Sequence, residues 1–399
     1  MGYITQAIIV NFMPVLFAVF QDKFKISFTQ LGSLMLINFA AQLVVDVIAA
    51  RYVDRIGFRK SAVPAHFFCV MGLVSLGVLP NILPNPYLGL VISVLIMALG
   101  GGLIEVVVSP IVDALPNDDD SAAMSLLHSF YCWGQLAVIL LSTLVIKVFG
   151  YGAWGVLSLL WSVIPLWNIF NFMRVPLPET MPEERKPIRN FLKSGGFILG
   201  LLLMFGSGAA EQVMAQWASL FAQRGLGVPK IVGDLLGPCI FALLMAIGRM
   251  WYGIKGDSAD LRKVLLASSG LCVVCYIVAA FSLSPVVSLA ACALTGISVC
   301  LMWPGTLSFI SERYPGGGAA IFGIMAIFGD LGCSVGSWIA GAVSDAAQKL
   351  PIVIEIANKY NLQLEQAGLK AGILTGTIFP IILILGLIIL KEEKRGNKR

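Results

Sequence analysis

Four ionisable side chains stand inside long apolar runs of the chain: Glu105, His128, Glu211 and Asp330. Holding a charge at bilayer depth costs at least a few kcal/mol, so a titratable group kept there points to a cavity or a proton path. A carboxyl group in such a place can take a proton from one side and release it to the other. Glu105 stands nine residues before the end of its run at 114. That is about 13 Å along a helix rising ~1.5 Å per residue, near a bilayer midplane. Its alternative role is a permanently protonated carboxyl bonded to a neighbouring helix. Glu211, Gln212 and Gln216 share a helical arc of about 140°, which either lines a cavity or ties helices together through hydrogen bonds. Asp330 sits among Gly323, Gly329, Gly332 and Gly336, a setting that suits tight helix packing as well as function. A histidine side chain ordinarily titrates near neutral pH, which would suit a relay; a satisfied place at the inner gate is the reading favoured for His128.

Polar side chains accompany these groups. Asn38, Gln42 and Asp46 recur at i, i+4 and i+8, a stripe that should avoid lipid and face a central cavity. Asn38 and Gln42 are placed to touch a ligand; Asp46, near the end of its run, is placed to close an inner gate. Asn11 precedes Pro14 at similar depth. Tyr131, Trp133, Gln135, Trp217 and Trp303 also lie within runs, and tryptophan beside amides can stack on the apolar face of a sugar. Plain packing is the other reading of each. Lys147 and Arg249 stand near the ends of their runs, so the sequence places no cation at a span centre and favours a neutral ligand over an anionic one. It carries no P-loop, zinc-protease motif or Gly-x-Ser-x-Gly elbow, so neither an enzyme nor a bound cofactor is expected.

The elements that must hold these residues follow from hydropathy. The chain is 58% apolar, 12% charged and averages +0.88 in mean hydropathy. A soluble protein carries roughly twice that charged fraction, so lipid is the solvent for much of this surface. Twelve runs are long enough to span a hydrocarbon core of ~30 Å: 3–20, 30–50, 61–80, 87–114, 122–149, 154–173, 193–222, 229–251, 262–281, 287–312, 318–346 and 370–390. Most of the 27 cations fall in loops on the side of the two termini, which the positive-inside rule assigns to the cytoplasm. The net charge of +5 is dispersed over these loops, so nucleic acid is not an expected partner. The eight cysteines are scattered within runs and read as small core residues. The polar stretch 174–192 divides residues 1–173 from 193–399 as a cytoplasmic linker, and Gln348–Gln366 suits a short amphipathic helix on the other side.

One loop occurs twice. Asp54-Arg55-Ile-Gly57-Phe-Arg59-Lys60 is echoed by Asp257-Ser-Ala-Asp-Leu-Arg262-Lys263, with Asp257 following Asp54 by 203 positions, about half the chain. The repeat predicts two similar halves. Asp54 with Arg55 and Arg59, and Asp257 with Arg249 or Arg262, are expected to pair across the inner mouth when the opposite side is open, as a reversible latch, since exposed ion pairs contribute under ~1 kcal/mol each; solvated loops whose cations only fix orientation are the other reading.

The first copy resembles the signature between spans two and three of the major facilitator superfamily, through Asp54, Arg55, Gly57, Arg59 and Lys60, with Ala50 in place of its leading glycine. The resemblance covers essentially the whole chain. Gly102-Leu-Ile-Glu105-Val-Val-Val-Ser-Pro110 and Glu211-Gln212-Val-Met-Ala-Gln216-Trp217 are similar to spans four and seven of the fucose–proton symporter branch, although Ser109 replaces that branch's asparagine. Trp133-Gly134-Gln135 stands where proton–drug antiporters carry glycine-proline, and their span-four arginine is missing. The resemblance implies an all-helical membrane protein of two pseudo-symmetric six-helix bundles. It implies a monomer in a bacterial plasma membrane that takes up a neutral sugar or polyol together with protons by alternating access. Proton-driven export of metabolites or drugs is the alternative, and a non-transporting membrane sensor a more distant one.

Overall fold

The computed structural model describes residues 1–113, 120–177, 188–255, 260–314 and 318–390, and it is helical throughout, with no strand among the described residues. Eleven helical segments are long and apolar enough to cross a membrane, and a twelfth forms if Gly2–Val15 and Phe17–Phe24 are taken as one span bent by 44°. The bend follows Pro14, whose ring has no N–H to donate and crowds the carbonyl one turn back.

The remaining spans, two to twelve, are Phe28–Ala49, Phe58–Ile82, Pro86–Val112, Leu127–Phe149, Tyr151–Arg174, Gly195–Gly225, Lys230–Tyr252, Leu261–Phe281, Pro285–Arg313, Gly323–Ala347 and Leu364–Ile389. The helix of span two continues to Ile56, and its start is fixed by a capping box between Ser27 and Gln30. A single residue, Gly57, then turns the chain into span three at φ 94°, a conformation that side chains resist. The polar stretch before span twelve holds a short helix, Pro351–Lys359. All eight cysteines are free and buried.

The repeated loops do the same thing in both halves. Arg59 donates from Nη2 to the carbonyl of Val175, at the end of span six, at 2.7 Å. Arg262 donates from Nε to the carbonyl of Leu387, in the last turn of span twelve, at 2.8 Å. A helix C-terminus leaves its last carbonyls without partners and carries partial negative charge, so a guanidinium suits it. In this conformation Arg59 and Arg262 thus each bond within their own half. Asp260 caps span nine, accepting from the Lys263 amide at 3.2 Å and pairing with its ammonium at 3.0 Å; these contacts hold its carboxyl below the usual carboxylate range. The expected gate roles of Asp54, Arg55 and Asp257 fall on side chains outside the described residues.

Spans two and eleven run antiparallel along a seam joining the first six spans to the last six. Asp345 accepts from the Thr29 amide at 2.6 Å, Gly32 lies against Ser337 and Trp338, and Ser334 donates to the Leu36 carbonyl at 2.9 Å. The seam ends at Asp46 and Asp330. Beyond it Val47, Ile48, Tyr52 and Ile56 of span two are exposed. We call the side on which the seam begins the far face, and the side of the termini the terminal face.

On its other side span eleven packs into span seven through glycine. A Cβ at Gly332 would overlap the Phe205 carbonyl, and one at Gly208 the Gly329 carbonyl. Backbone cannot move aside cheaply. Gly332→Ala is expected to lower stability by about 1–3 kcal/mol, whereas Gly323→Ala, which meets nothing within 4 Å, should leave the thermal midpoint of the purified protein unchanged.

Candidate functional site

The interior holds two charged clusters separated by an apolar patch of Val10, Phe39, Cys333 and Trp303. The first joins three carboxylates. One oxygen each from Asp46, Glu105 and Asp330 lie within 4.8 Å of one another, delivered by spans two, four and eleven. Two unit charges about 4 Å apart repel by about 4 kcal/mol at an effective dielectric near 20, so three ionised carboxylates cannot rest together without a proton or a counter-ion.

Glycine lets these helices approach. A Cβ at Gly102 would come 2.9 Å from Asp46 Oδ1, and one at Gly101 would come 2.9 Å from Gln42 Oε1. Gln6 of span one donates from Nε2 to Gln42 Oε1 at 2.8 Å and approaches Glu105 Oε2 at 3.5 Å. Tyr3, one turn earlier, bonds Ser109 at 2.7 Å and lies 5.1 Å from the His128 ring. His128 is itself exposed, at the terminal-face end of its span. Asn38 is 1% exposed, and neither end of its amide has a hydrogen-bond partner.

The second cluster is built on an ion pair. Arg249 Nη2 lies 3.0 Å from Glu211 Oε2, with side chains 19% and 8% exposed. Arg249 also donates to the Cys300 carbonyl at 3.1 Å and to Cys132 Sγ at 3.5 Å, the latter across to span five. Beside it Gln216 donates to Gln212 at 2.7 Å, and Asn11 donates to Tyr131 Oη at 3.2 Å. Gln135, one turn beyond Tyr131, is buried with its Oε1 unpartnered.

Several side chains thus stand elsewhere than the sequence suggests. Asp46 joins Glu105 and Asp330 instead of an ion pair at the inner end, because its helix runs ten residues further, to Ile56. Arg249 belongs to the interior pair with Glu211, so the core does hold a cation, and that cation is already neutralised. Trp133 is 43% exposed on the face of its helix shared with Phe130 and Leu141, turned away from both clusters. Trp217 is sealed between Phe17 and Phe28 and donates to the Ser337 carbonyl at 3.0 Å, so it is part of the wall. Trp303 stays at the centre, packed on Gly329.

A third charged group, absent from the sequence-based set, closes the far face. Asp234 of span eight is fully buried and pairs with Lys230 at 2.8 Å. It accepts from Thr143 and from Ser219, each at 2.6 Å, while Lys230 reaches the Val15 carbonyl at 2.8 Å. Val15 and Thr143 belong to the first six spans and the rest to the last six. Asp22 with Arg224 and Gln21 with Glu365 add bonds between the two sets on the same side. Lys230 and Asp234 stand at i and i+4 where a span begins, a pattern that reads as an exposed helix pair; only packing buries it.

Two sets of six spans, joined by a far-face lock and enclosing charged and amide-rich clusters, define a membrane transporter. The Major Facilitator Superfamily model matches residues 1–337, and the chain belongs to that superfamily; it is not an enzyme. Its fold is similar to that of a bacterial homolog of the human lysosomal transporter Spinster in an inward-facing, unoccupied conformation, at a TM-score of 0.78 and 14% identity over 97% of this chain and 94% of that one. The nucleoside transporter NupG aligns at 0.76 and 10% identity, covering 98% of each chain. The E. coli fucose:proton symporter aligns at 0.62 and 13% identity, covering 98% of this chain and 97% of that one. No relative was found among curated proteins.

Proposed function

We propose that the protein takes up a neutral sugar or related polyhydroxy solute together with protons, as a monomer in a bacterial plasma membrane with both termini in the cytoplasm. The observation that carries this reading is the carboxylate cluster of Asp46, Glu105 and Asp330. It draws its members from both halves of the carrier, at the point where the seam between spans two and eleven ends. A proton taken up there removes repulsion between the halves and favours the seam; its loss weakens the seam. Proton occupancy is thus tied to the alternating-access equilibrium, and a bound species can shift that equilibrium only by its differential affinity for the two states. On this orientation the far face is external and the conformation is inward-facing.

The substrate class rests on the amides and hydroxyl facing the interior: Asn11, Gln135, Gln212, Gln216 and Tyr131, with Asn38 and Gln42 on span two and Trp303 at the centre. Arg249 is neutralised by Glu211 and Lys230 by Asp234, which leaves no free cation at these sites to recognise an obligate anion. The names of two similar structures, a fucose:proton symporter and a D-xylose–proton symporter, agree with this reading. In proteoliposomes holding protein with its far face outward, the right solute should alkalinise the medium as protons enter with it. Transport of a solute without proton movement would contradict symport.

A further inference from the structure

The connection between spans eleven and twelve carries an apolar face that the rest of the molecule leaves uncovered. At the far face the two spans are in contact: a Cβ at Gly368 would come 2.5 Å from the Ser344 carbonyl and 2.7 Å from Gln348 Cγ. The connection therefore lies over their far-face ends. Its helix, Pro351–Lys359, begins on a proline, which suits a first turn with no N–H bond to lose. It stops where Asn361 turns left-handed at φ 53° and the Leu362 amide bonds back to the Ala357 carbonyl at 2.8 Å, a common helix ending.

At 100° per residue this helix has three sides. Ala357 is 1% exposed and Val353 beside it is half-buried, so this side packs on the protein, with Ile354 at its edge. Glu355, Asn358 and Lys359 make a polar side. Ile352 and Ile356, 61% and 43% exposed, make the apolar one. Single apolar side chains on a surface are ordinary, whereas contiguous ones mark an interaction site. Here they are contiguous. Leu350 and Tyr360 flank the helix, both exposed, and Leu364 begins the side of span twelve on which Ile378, Ile381 and Leu385 are exposed. In a membrane protein that side meets acyl chains.

We infer that Pro351–Lys359 lies on the bilayer at the far face, with Ile352 and Ile356 sunk into the boundary between phospholipid headgroups and acyl chains. Lipid is the occupant because the apolar side runs on into the lipid-facing side of span twelve. The flanking residues fit that depth. Tyrosine favours the headgroup level, and the Lys359 ammonium, 5.5 Å from the centre of the Tyr360 ring, can reach the phosphates from an apolar stem. Packed through Ala357 and seated in lipid through Ile352, the helix ties the far end of span eleven to the membrane surface.

The test places a spin label on full-length protein in phosphatidylcholine vesicles, at Ile352→Cys, Ile356→Cys or Asn358→Cys. The eight native cysteines are buried, and wild type carried through the same labelling supplies the background. Collisions are measured with oxygen, which concentrates among acyl chains, and with a water-soluble nickel chelate. Labels at 352 and 356 should meet oxygen and be shielded from nickel, at a depth of roughly 5–10 Å; the label at 358 should meet nickel. Either of the first two variants reports the same side if the other fails to fold. Nickel reaching 352 and 356 as readily as 358 overturns the inference. So does shielding of both from oxygen and nickel alike, which would mark a protein partner or, with spin–spin broadening, a second copy.

Discussion

Arg249→Met should cost the folded protein about 3–5 kcal/mol, the loss expected when one partner of a buried ion pair is removed and the other stays charged. Glu211 would be left inside the bundle without its guanidinium, and the links to Cys300 and Cys132 would go with it. Glu211→Gln combined with Arg249→Met should restore most of that loss, because an amide beside a thioether needs no counter-ion. Thermal unfolding of the two single variants and the double variant forms a double-mutant cycle. Equal, additive losses would mean that the pair contributes no coupling. Transport is expected to fail in the single arginine variant and to return only partly in the double one, since a neutral pair no longer fixes the amides beside it.

The second large effect belongs to the far face. Asp234→Asn leaves the Lys230 ammonium buried with only neutral partners, and it weakens the bonds that hold Thr143 and Val15 against the last six spans. Opening of this face should become much more frequent. Cys239 of span eight reports it without an added label site, because it is buried in a small cluster with Val15 and Ile139 of the first six spans. Its reaction with a membrane-impermeant maleimide applied from the far face, located by mass spectrometry, should rise at least about tenfold, which corresponds to about 1.4 kcal/mol in the opening equilibrium. Thr143→Val removes one neutral donor and should produce a smaller rise. An unchanged rate in Asp234→Asn would show that the ion pair does not hold the face shut.

How much of this was legible in the sequence depends on what each residue needed from its surroundings. Glu105, Glu211 and Asp330 could be found because an ionisable group in an apolar run is costly wherever the helix lies. The twelve spans followed from run length, and the duplication from one repeated loop. Side-chain reach was invisible. Arg249 has its Cα near the end of a span, yet its long side chain carries the charge inward to Glu211. Asp46 seemed to lie at an end only because hydropathy stops counting at the charged residues near 51, whereas the helix continues to Ile56. The Arg59 and Arg262 roles depend on where spans six and twelve finish, which no local pattern near the arginines records. Gln6 and Tyr3 were within reach: they stand one turn apart in a largely apolar first span, as polar a stripe as Asn38 and Gln42. The Lys230–Asp234 lock required knowing that Thr143 and Ser219 face it, and contacts of that separation are fixed by packing alone.

The central claim is that Glu105, within the cluster at the end of the seam, ties proton movement to solute movement. The most direct measurement follows one transported solute in proteoliposomes of wild type and Glu105→Gln, under an imposed pH gradient and in exchange without one. The wild type should concentrate the solute when the gradient is present. Glu105→Gln should lose that accumulation yet still exchange labelled for unlabelled solute, because the amide keeps the shape and removes the proton. Gradient-driven accumulation that persists in Glu105→Gln would contradict the account.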